Sequence, residues 1–270
     1  MSAIPALVPK AVIFDAYGTL FDVHSVVAAA EQMFPGHGDS LSQLWRQKQI
    51  EYTHLRTLAD PAGTHYQPFW NITLDALRYA AHCLGLTLER QAEKRLMDEY
   101  ACLSAFPDAL PALRQLRQLG QLGQSRHPGA TGPVPGLAVL SNGNPQMLDI
   151  ALKSAGMTGL FDHVLSVEAV RAYKPAPAAY ALGTRAFGNA PARDIVFVSA
   201  NGWDAVGACW FGYTTFWLNR QHARADELGV TFHGTGQGMN DLAHFLQTFA
   251  PSSRGPGRAR PGHTSRTSRA

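Results

Sequence analysis

The chain has 270 residues, 46% of them hydrophobic and 16% charged, enough to bury a sizeable core in one large α/β domain or in one domain carrying an insertion. Its net charge of +3 comes from the last twenty residues, PSSRGPGRARPGHTSRTSRA, whose five arginines and lack of acid leave the first 250 residues slightly acidic; this excludes a basic nucleic-acid-binding face. Cys83, Cys102 and Cys209 form no CxxC pair, and no apolar run reaches bilayer length, which excludes a disulfide framework, a thiolate zinc site and a membrane span.

The start, MSAIPALVPK, carries no signal-peptide pattern, so a cytoplasmic protein is expected. A short β-rich run follows at Ala11–Phe14, ending on Asp15. Further runs lie at Leu137–Leu140, His163–Val167, Ile195–Ser199 and Tyr213–Leu218. All are continuous rather than alternating, as expected for strands buried on both faces of a parallel sheet. Helical patterns separate them, such as ALPALRQLRQL from Ala109 and PQMLDIALKSAG from Pro145, the latter closing on Gly156. The alternation predicts an α/β fold with an open, doubly wound parallel sheet of Rossmann-like type.

One interval breaks the pattern. From Val23 to Ser104 only amphipathic helical stretches occur, the clearest being SLSQLWRQKQIEYTHLRTLA and LDALRYAAHCLGL. They read as a helical cap inserted after the first strand. The expected division is a core from residues 1–22 and 105–250, a cap over 23–104, and a disordered basic tail over 251–270. GQSRHPGATGPVPG (Gly123–Gly136) reads as a surface excursion, and HGTGQGMNDL as a loop before a final helix. The latter fails as a dinucleotide fingerprint because Met239 takes the third glycine place. The eleven histidines make no HxH or HExxH pattern, so no metal site is expected from them.

Ligands of open parallel sheets bind beyond the carboxyl ends of the strands. There the sequence places Asp15, then Ser141-Asn142-Gly143, then Tyr173-Lys174-Pro175, then Ser199-Ala200-Asn201-Gly202-Trp203-Asp204. A single strand ending in Asp is often a cap. Four successive crossovers that each deliver a reactive side chain are a site.

In order, DAYGTL, SNG, YKPAPAAY and SANGWDAVGA resemble the four motifs of the haloacid dehalogenase superfamily, and the helical insertion is similar to its cap. The variants, with WRQKQIEYTHLRTL in the cap, resemble the L-2-haloacid dehalogenase (type II) family over about residues 10 to 245. Phosphatases of the superfamily carry DxD at the first strand, where the second Asp protonates the leaving alcohol; Tyr17 stands in that place here. A halide leaves without a proton, so no general acid is needed, and Tyr17 supplies an apolar wall. Ser199 and Asn201 before the lone Asp204 remove charge from the superfamily's Mg²⁺ position, so the expectation is no metal and no cofactor.

The resemblance implies hydrolysis of a short L-2-haloalkanoic acid to a D-2-hydroxy acid through an ester on Asp15. It implies roles residue by residue. Thr19 orients Asp15, Lys174 is its electrostatic partner and holds the substrate carboxylate, and Ser141, Asn142 and the amides around Ala16 and Tyr17 bind that carboxylate. Asp204, supported by Ser199 and Asn201, positions the hydrolytic water, and Tyr180 lies beside these charges. Arg46 receives the halide, while Gln47, Ile50, Phe69 and Trp203 line the pocket. Without the resemblance, Arg46 reads as a solvated helix residue, and Trp45 and Phe69 read as core. The partner expected is a small 2-halocarboxylic acid, with no nucleic acid and no membrane, in a homodimer formed through the cap. The alternatives are a phosphatase of the same superfamily acting on a small phosphomonoester, and a binding protein that has kept the fold.

Overall fold

The structure, a computed structural model, describes residues 9–59, 62–126 and 135–249. The basic tail, and most of the Pro/Gly-rich excursion before the second strand, lie outside the described residues.

Six parallel strands form one sheet: β1 (Ala11–Phe14), β2 (Gly136–Ser141), β3 (His163–Ser166), β4 (Ile195–Ser199), β5 (Thr214–Leu218) and β6 (Gly234–Gly236), in the order β3-β2-β1-β4-β5-β6. β1 and β4 are buried along their whole length, as unbroken apolar strings such as AVIF and IVFVS require. Each such Val, Ile or Phe side chain taken out of water contributes about 1.5–3 kcal/mol.

Two expectations need correction. β3, at the sheet's edge, is only partly covered, and Val164 is 47% exposed. Gly234–Gly236, read as loop, is a short sixth strand that pairs Phe216 with Gly234. A Cβ on Gly234 would sit 2.6 Å from Phe245 Cδ2 and 2.8 Å from Phe216 Cδ2, so glycine lets this segment lie against β5. Its three residues carry no apolar pattern that a reading of periodicity could detect.

Between β1 and β2 run α1 (Val27–Met33), α2 (Gly38–Ala59), α3 (Phe69–Cys83) and α4 (Arg90–Ala101), with no named strand among the described residues of that interval. The Trp45 indole on α2 donates to the Thr73 carbonyl on α3 at 2.7 Å, which fixes these two helices side by side. The chain leaves the sheet and returns to it at one place: Asp22 N–H donates to Ser104 O (2.8 Å) and Phe106 N–H to Leu20 O (2.9 Å). α5 (Ala109–Arg126) then continues through Gly123–Arg126, which had read as excursion. α6 (Pro145–Ser154), α7 (Pro177–Ala186), α8 (Gly202–Phe211) and α9 (Met239–Gln247) complete the described α-helices.

From β1 the chain builds outward through β2 to β3, then crosses back to β4 on β1's other side. The strand order therefore reverses between β1 and β4, and a crevice opens beyond their carboxyl ends.

Candidate active site

Asp15 is the first residue past β1. Its amide still donates to Val198 O at 2.9 Å, so the sheet holds its backbone while its side chain projects past the edge. Asp15 is 6% exposed, and its carboxylate takes three hydrogen bonds. Lys174 Nζ donates to Oδ1 at 2.9 Å, while Thr19 Oγ1 (2.8 Å) and Asn201 Nδ2 (2.9 Å) donate to Oδ2. Thr19 Oγ1 in turn accepts from the Ala200 amide at 2.9 Å, joining the loop after β1 to the loop after β4. Gly18 makes the intervening turn possible, with φ +95 and Asn201 Oδ1 3.2 Å from where a Cβ would lie.

Lys174, fully buried, stands between two carboxylates, 2.9 Å from Asp15 Oδ1 and 2.9 Å from Asp204 Oδ2. Its own amide donates to Asn142 Oδ1 at 3.0 Å, which ties the β2 and β3 loops together. Burial opposes the ammonium's charge, but Asp15 and Asp204 outweigh it and raise its pKa above the ordinary lysine value. Asp204 is also fully buried. Burial pushes its carboxyl up from the ordinary range; Lys174 pulls the other way, and the charge of Asp15 adds to the rise. One cation serves two acids, so the second is the harder to ionise. Tyr180 OH lies 2.8 Å from Asp204 Oδ1, and burial, reinforced by the Asp204 charge, keeps this phenol protonated.

The expected residues do not all fall into one layer. Asp15, Tyr17, Arg46, Ile50, Phe69, Ser141, Asn142, Asn201 and Trp203 line a narrow pocket of about 10 Å³, room for about one water molecule. Thr19, Lys174, Tyr180, Ser199 and Asp204 stand behind that lining; Ala16 is buried at the end of β1. Ser199 Oγ accepts from the Asn201 amide at 3.2 Å, and the Asn201 side chain bonds Asp15, Tyr17 O (2.9 Å) and Arg46 rather than the Asp204 carboxylate. Ser199 and Asn201 thus brace the Asp15 side, and Asn201 meets Asp204 only through the main chain, Asp204 N–H to Asn201 O at 3.1 Å. Lys174, placed by expectation on the substrate, gives its described hydrogen bonds to carboxylates.

Gln47 is a further expectation that the structure corrects. It is exposed on α2 and absent from the pocket lining. Successive helical residues turn about 100°, so the neighbour of Arg46 faces away while the residue three later shares its side. That residue, Gln49, is buried and accepts from Arg46 Nη1 at 2.7 Å. Sequence reasoning missed Gln49, Thr53 in the lining, and Tyr100, whose ring stacks on Tyr17 at 5.8 Å between centroids. The three-residue spacing was the available signal for Gln49; nothing local signals Tyr100, which arrives from α4.

Arg46 joins the helical layer to the sheet. Its Nη2 donates to Tyr17 O (3.1 Å) and Asn201 Oδ1 (3.0 Å), and it pairs with no carboxylate among the described residues. A cation so placed, without a neutralising acid, is a ready anion acceptor. Outside it opens a cleft of about 630 Å³ that shares Arg46, Ile50, Asn201 and Trp203 with the narrow pocket. The Tyr17 hydroxyl and the Trp203 indole N–H are buried without a hydrogen-bond partner. Burial drives the Tyr17 phenol's pKa well above its ordinary range, so it is no proton donor of the Asp kind. The amides of Ala16 and Tyr17 also donate to no acceptor among the described residues.

A magnesium site of the phosphatase type does not fit this donor set. The Lys174 ammonium already lies between the two carboxylates, and Tyr17 offers a phenol where a second acid would be needed.

The haloacid dehalogenase-like hydrolase model matches residues 9–212. The (S)-2-haloacid dehalogenase of Pseudomonas sp. (strain YL) is 43% identical over 241 residues, covering 89% of this chain and 96% of that protein. The crystal structure of the L-2-haloacid dehalogenase RSc1362 shares 59% identity at a TM-score of 0.82, covering 88% of this chain and 99% of its own. An L-2-haloacid dehalogenase from Xanthobacter autotrophicus, solved with chloropropionic acid covalently bound, shares 34% identity at a TM-score of 0.77, over 90% of this chain and all of that one. With these matches running the length of the sheet and the helical layer, the chain belongs to the haloacid dehalogenase-like hydrolases, in their L-2-haloacid dehalogenase family.

Proposed function

We propose that this chain hydrolyses short L-2-haloalkanoic acids to D-2-hydroxy acids, with Asp15 as a covalent nucleophile and no metal. The observation that carries the reading is a triply hydrogen-bonded Asp15 facing an apolar-walled pocket, with the unneutralised Arg46 guanidinium among its lining.

Asp15 Oδ2 already holds two donors, whereas Oδ1 holds only Lys174 and keeps a lone pair. Oδ1 attacks C2 from the side opposite the halogen. The C–X bond breaks, its electron pair leaves with the halide towards Arg46 and Asn201, and C2 inverts. The free amides of Ala16 and Tyr17, with Ser141 beside them, receive the substrate carboxylate. Tyr17, Ile50, Phe69 and Trp203 exclude water from C2.

Esterification removes the charge of Asp15. Lys174 then has Asp204 as its only anionic neighbour, and the contribution of Asp15 to the raised Asp204 pKa disappears. Asp204 becomes the carboxylate that takes a proton from water as the water attacks the Asp15 carbonyl. The oxyanion forms at Oδ2, where Thr19 and Asn201 donate. Collapse breaks the Cγ–Oδ1 bond: Asp204 returns its proton to the departing Oδ1, the remaining water hydrogen is lost to solvent, and Asp15 is left as a carboxylate while the hydroxy acid keeps Oδ1 as its hydroxyl oxygen. Water bond, ester bond and proton balance to one halide, one hydroxy acid and one proton.

The narrow pocket is too small for such a substrate, so entry calls for α2 and its neighbours to give way from the sheet. The side-by-side crossings at 20–22 and 104–106 are the natural hinges, in line with a cap over 23–104 on a core of 1–22 and 105–250. The exposed Leu55, Leu58 and Tyr79 on α2 and α3 support a homodimer through the cap, which light scattering can measure. The work would be done in the cytoplasm; no helix of the described residues is long and apolar enough to cross a membrane.

The test is halide release from each enantiomer of 2-chloropropionate, with and without chelator. The expected result is chelator-insensitive release from the L enantiomer with D-lactate as product. Silence on both enantiomers with Mg²⁺-dependent phosphate release would overturn it.

A further inference from the structure

Arg46 has two halves to its hydrogen bonding. Nη2 reaches the sheet side, Tyr17 O and Asn201 Oδ1; Nη1 reaches Gln49 Oε1 at 2.7 Å, within the helical layer. Gln49 is completely buried, and every polar atom of its amide is engaged. Oε1 also accepts from Tyr100 OH at 3.1 Å, and Nε2 donates to Thr73 Oγ1 at 2.7 Å. The Thr73 hydroxyl donates to Phe69 O at 2.7 Å, so its oxygen is free to accept from Gln49 and the amide has one orientation. Its carbonyl therefore faces the guanidinium. Burial holds the Tyr100 phenol protonated, leaving its single proton for Gln49.

A glutamine costs a buried site more than an apolar residue does, unless its bonds have a use. Glutamate would fix the same guanidinium more tightly, but would neutralise it. Glutamine aims the cation and leaves its charge for an incoming anion. We propose that Gln49, with Tyr100 on α4 and Thr73 on α3, is a positioning residue that presets the Arg46 guanidinium over the Asp15 pocket to receive the departing halide. The proposal rests on the functional reading above and adds the device that keeps Arg46 in place when the helical layer parts from the sheet, because Gln49 and its partners Arg46, Thr73 and Tyr100 all lie in that layer.

The experiment compares wild type, Gln49→Met and Gln49→Glu on L-2-chloropropionate, reading kcat, KM, product inhibition by added bromide, and the melting temperature. Gln49→Met keeps length and volume without hydrogen bonds. It is expected to lower kcat about 100-fold, the scale of an ångström misplacement, while KM moves little and bromide inhibition weakens. Gln49→Glu restores the acceptor and adds a charge, and is expected to weaken bromide inhibition further than the Met variant. In an Arg46→Lys background, Gln49→Met is expected to cost much less than in wild type, because it acts through the guanidinium. Should the Met variant fail to fold, Tyr100→Phe, which keeps the ring on Tyr17, serves with the expected smaller kcat loss and the same KM pattern. Wild-type kcat and bromide inhibition in these variants, or an undiminished loss in the Arg46→Lys background, would overturn the proposal. A wild-type protein that releases no halide would overturn the functional reading instead.

Discussion

At the scale of the residue, the proposed chemistry depends on one cation shared by two buried acids. Lys174 lies 2.9 Å from Asp15 and 2.9 Å from Asp204, and burial raises the Asp204 pKa while Lys174 restrains the rise. The proposed water-activating form of Asp204 is the anion. A raised pKa means that, as pH falls, this anion is lost at a higher pH than an ordinary aspartate would be. Ester hydrolysis should therefore weaken from a higher pH than with an ordinary aspartate as base, and the aspartyl ester should accumulate as pH is lowered. Asp204→Asn should accumulate it at every pH, with steady-state turnover down by roughly 10²–10⁴-fold, the usual weight of a general base. Mass measurement of quenched protein checks both; an unmodified Asp15 in that variant, with substrate present and halide released, would remove Asp204 from the hydrolytic step. Asp15, Lys174 and Tyr17 were legible in the sequence because each leaves a strand inside a recognisable motif. The partners of Asn201 were not: hydrogen-bond direction at a strand end depends on three loops meeting, and no single loop encodes it.

At the scale of the element, the loops after β1 and β2 interlock through small residues. The Tyr17 ring packs where a side chain on Gly143 would be: a Cβ there would lie 2.7 Å from Tyr17 Cε2 and 3.3 Å from Leu148 Cδ2. The Ser166 hydroxyl donates to Gly143 O at 2.7 Å, and Gly143 N–H donates to Ser141 Oγ at 3.0 Å, so the loop cannot yield easily. Gly143→Ala should push Tyr17 into the pocket, destabilise the protein by about 1–3 kcal/mol as an overpacked core does, and lower kcat/KM for L-2-chloropropionate. Thermal melts and initial rates check this; wild-type values for both would mean that the loop relaxes freely. The helices and the buried strands were readable because their periodicity is set by which face meets the core. β6 and the extension of α5 were not, since glycine-rich segments carry little periodicity. Resemblance alone places Gln47 at the pocket, whereas burial, which falls on Gln49, is decided by helical phase and by what α3 and α4 place opposite.

At the scale of the whole molecule, the order reversal between β1 and β4 creates the crevice, and the helices between β1 and β2 cover it. Asp15 comes from one side of the reversal and Asn201 and Asp204 from the other, while Arg46 reaches down from α2 to both loops. The site exists only when sheet and helical layer meet, which is why its inner volume is about 10 Å³ beneath an outer cleft of about 630 Å³. In the proposed reaction this closure keeps water from C2 during displacement and leaves the ester carbonyl near Lys174 and Asp204 for the second step. Everything in that sequence of events depends on Asp15 forming a covalent bond. Single turnover with excess enzyme on L-2-chloropropionate in ¹⁸O-water, followed by proteolysis and mass analysis of the peptide holding Asp15, measures it directly. The account predicts ¹⁸O in the Asp15 carboxylate and ¹⁶O in the hydroxyl of the released lactate; label in the lactate hydroxyl with an unlabelled Asp15 would contradict it.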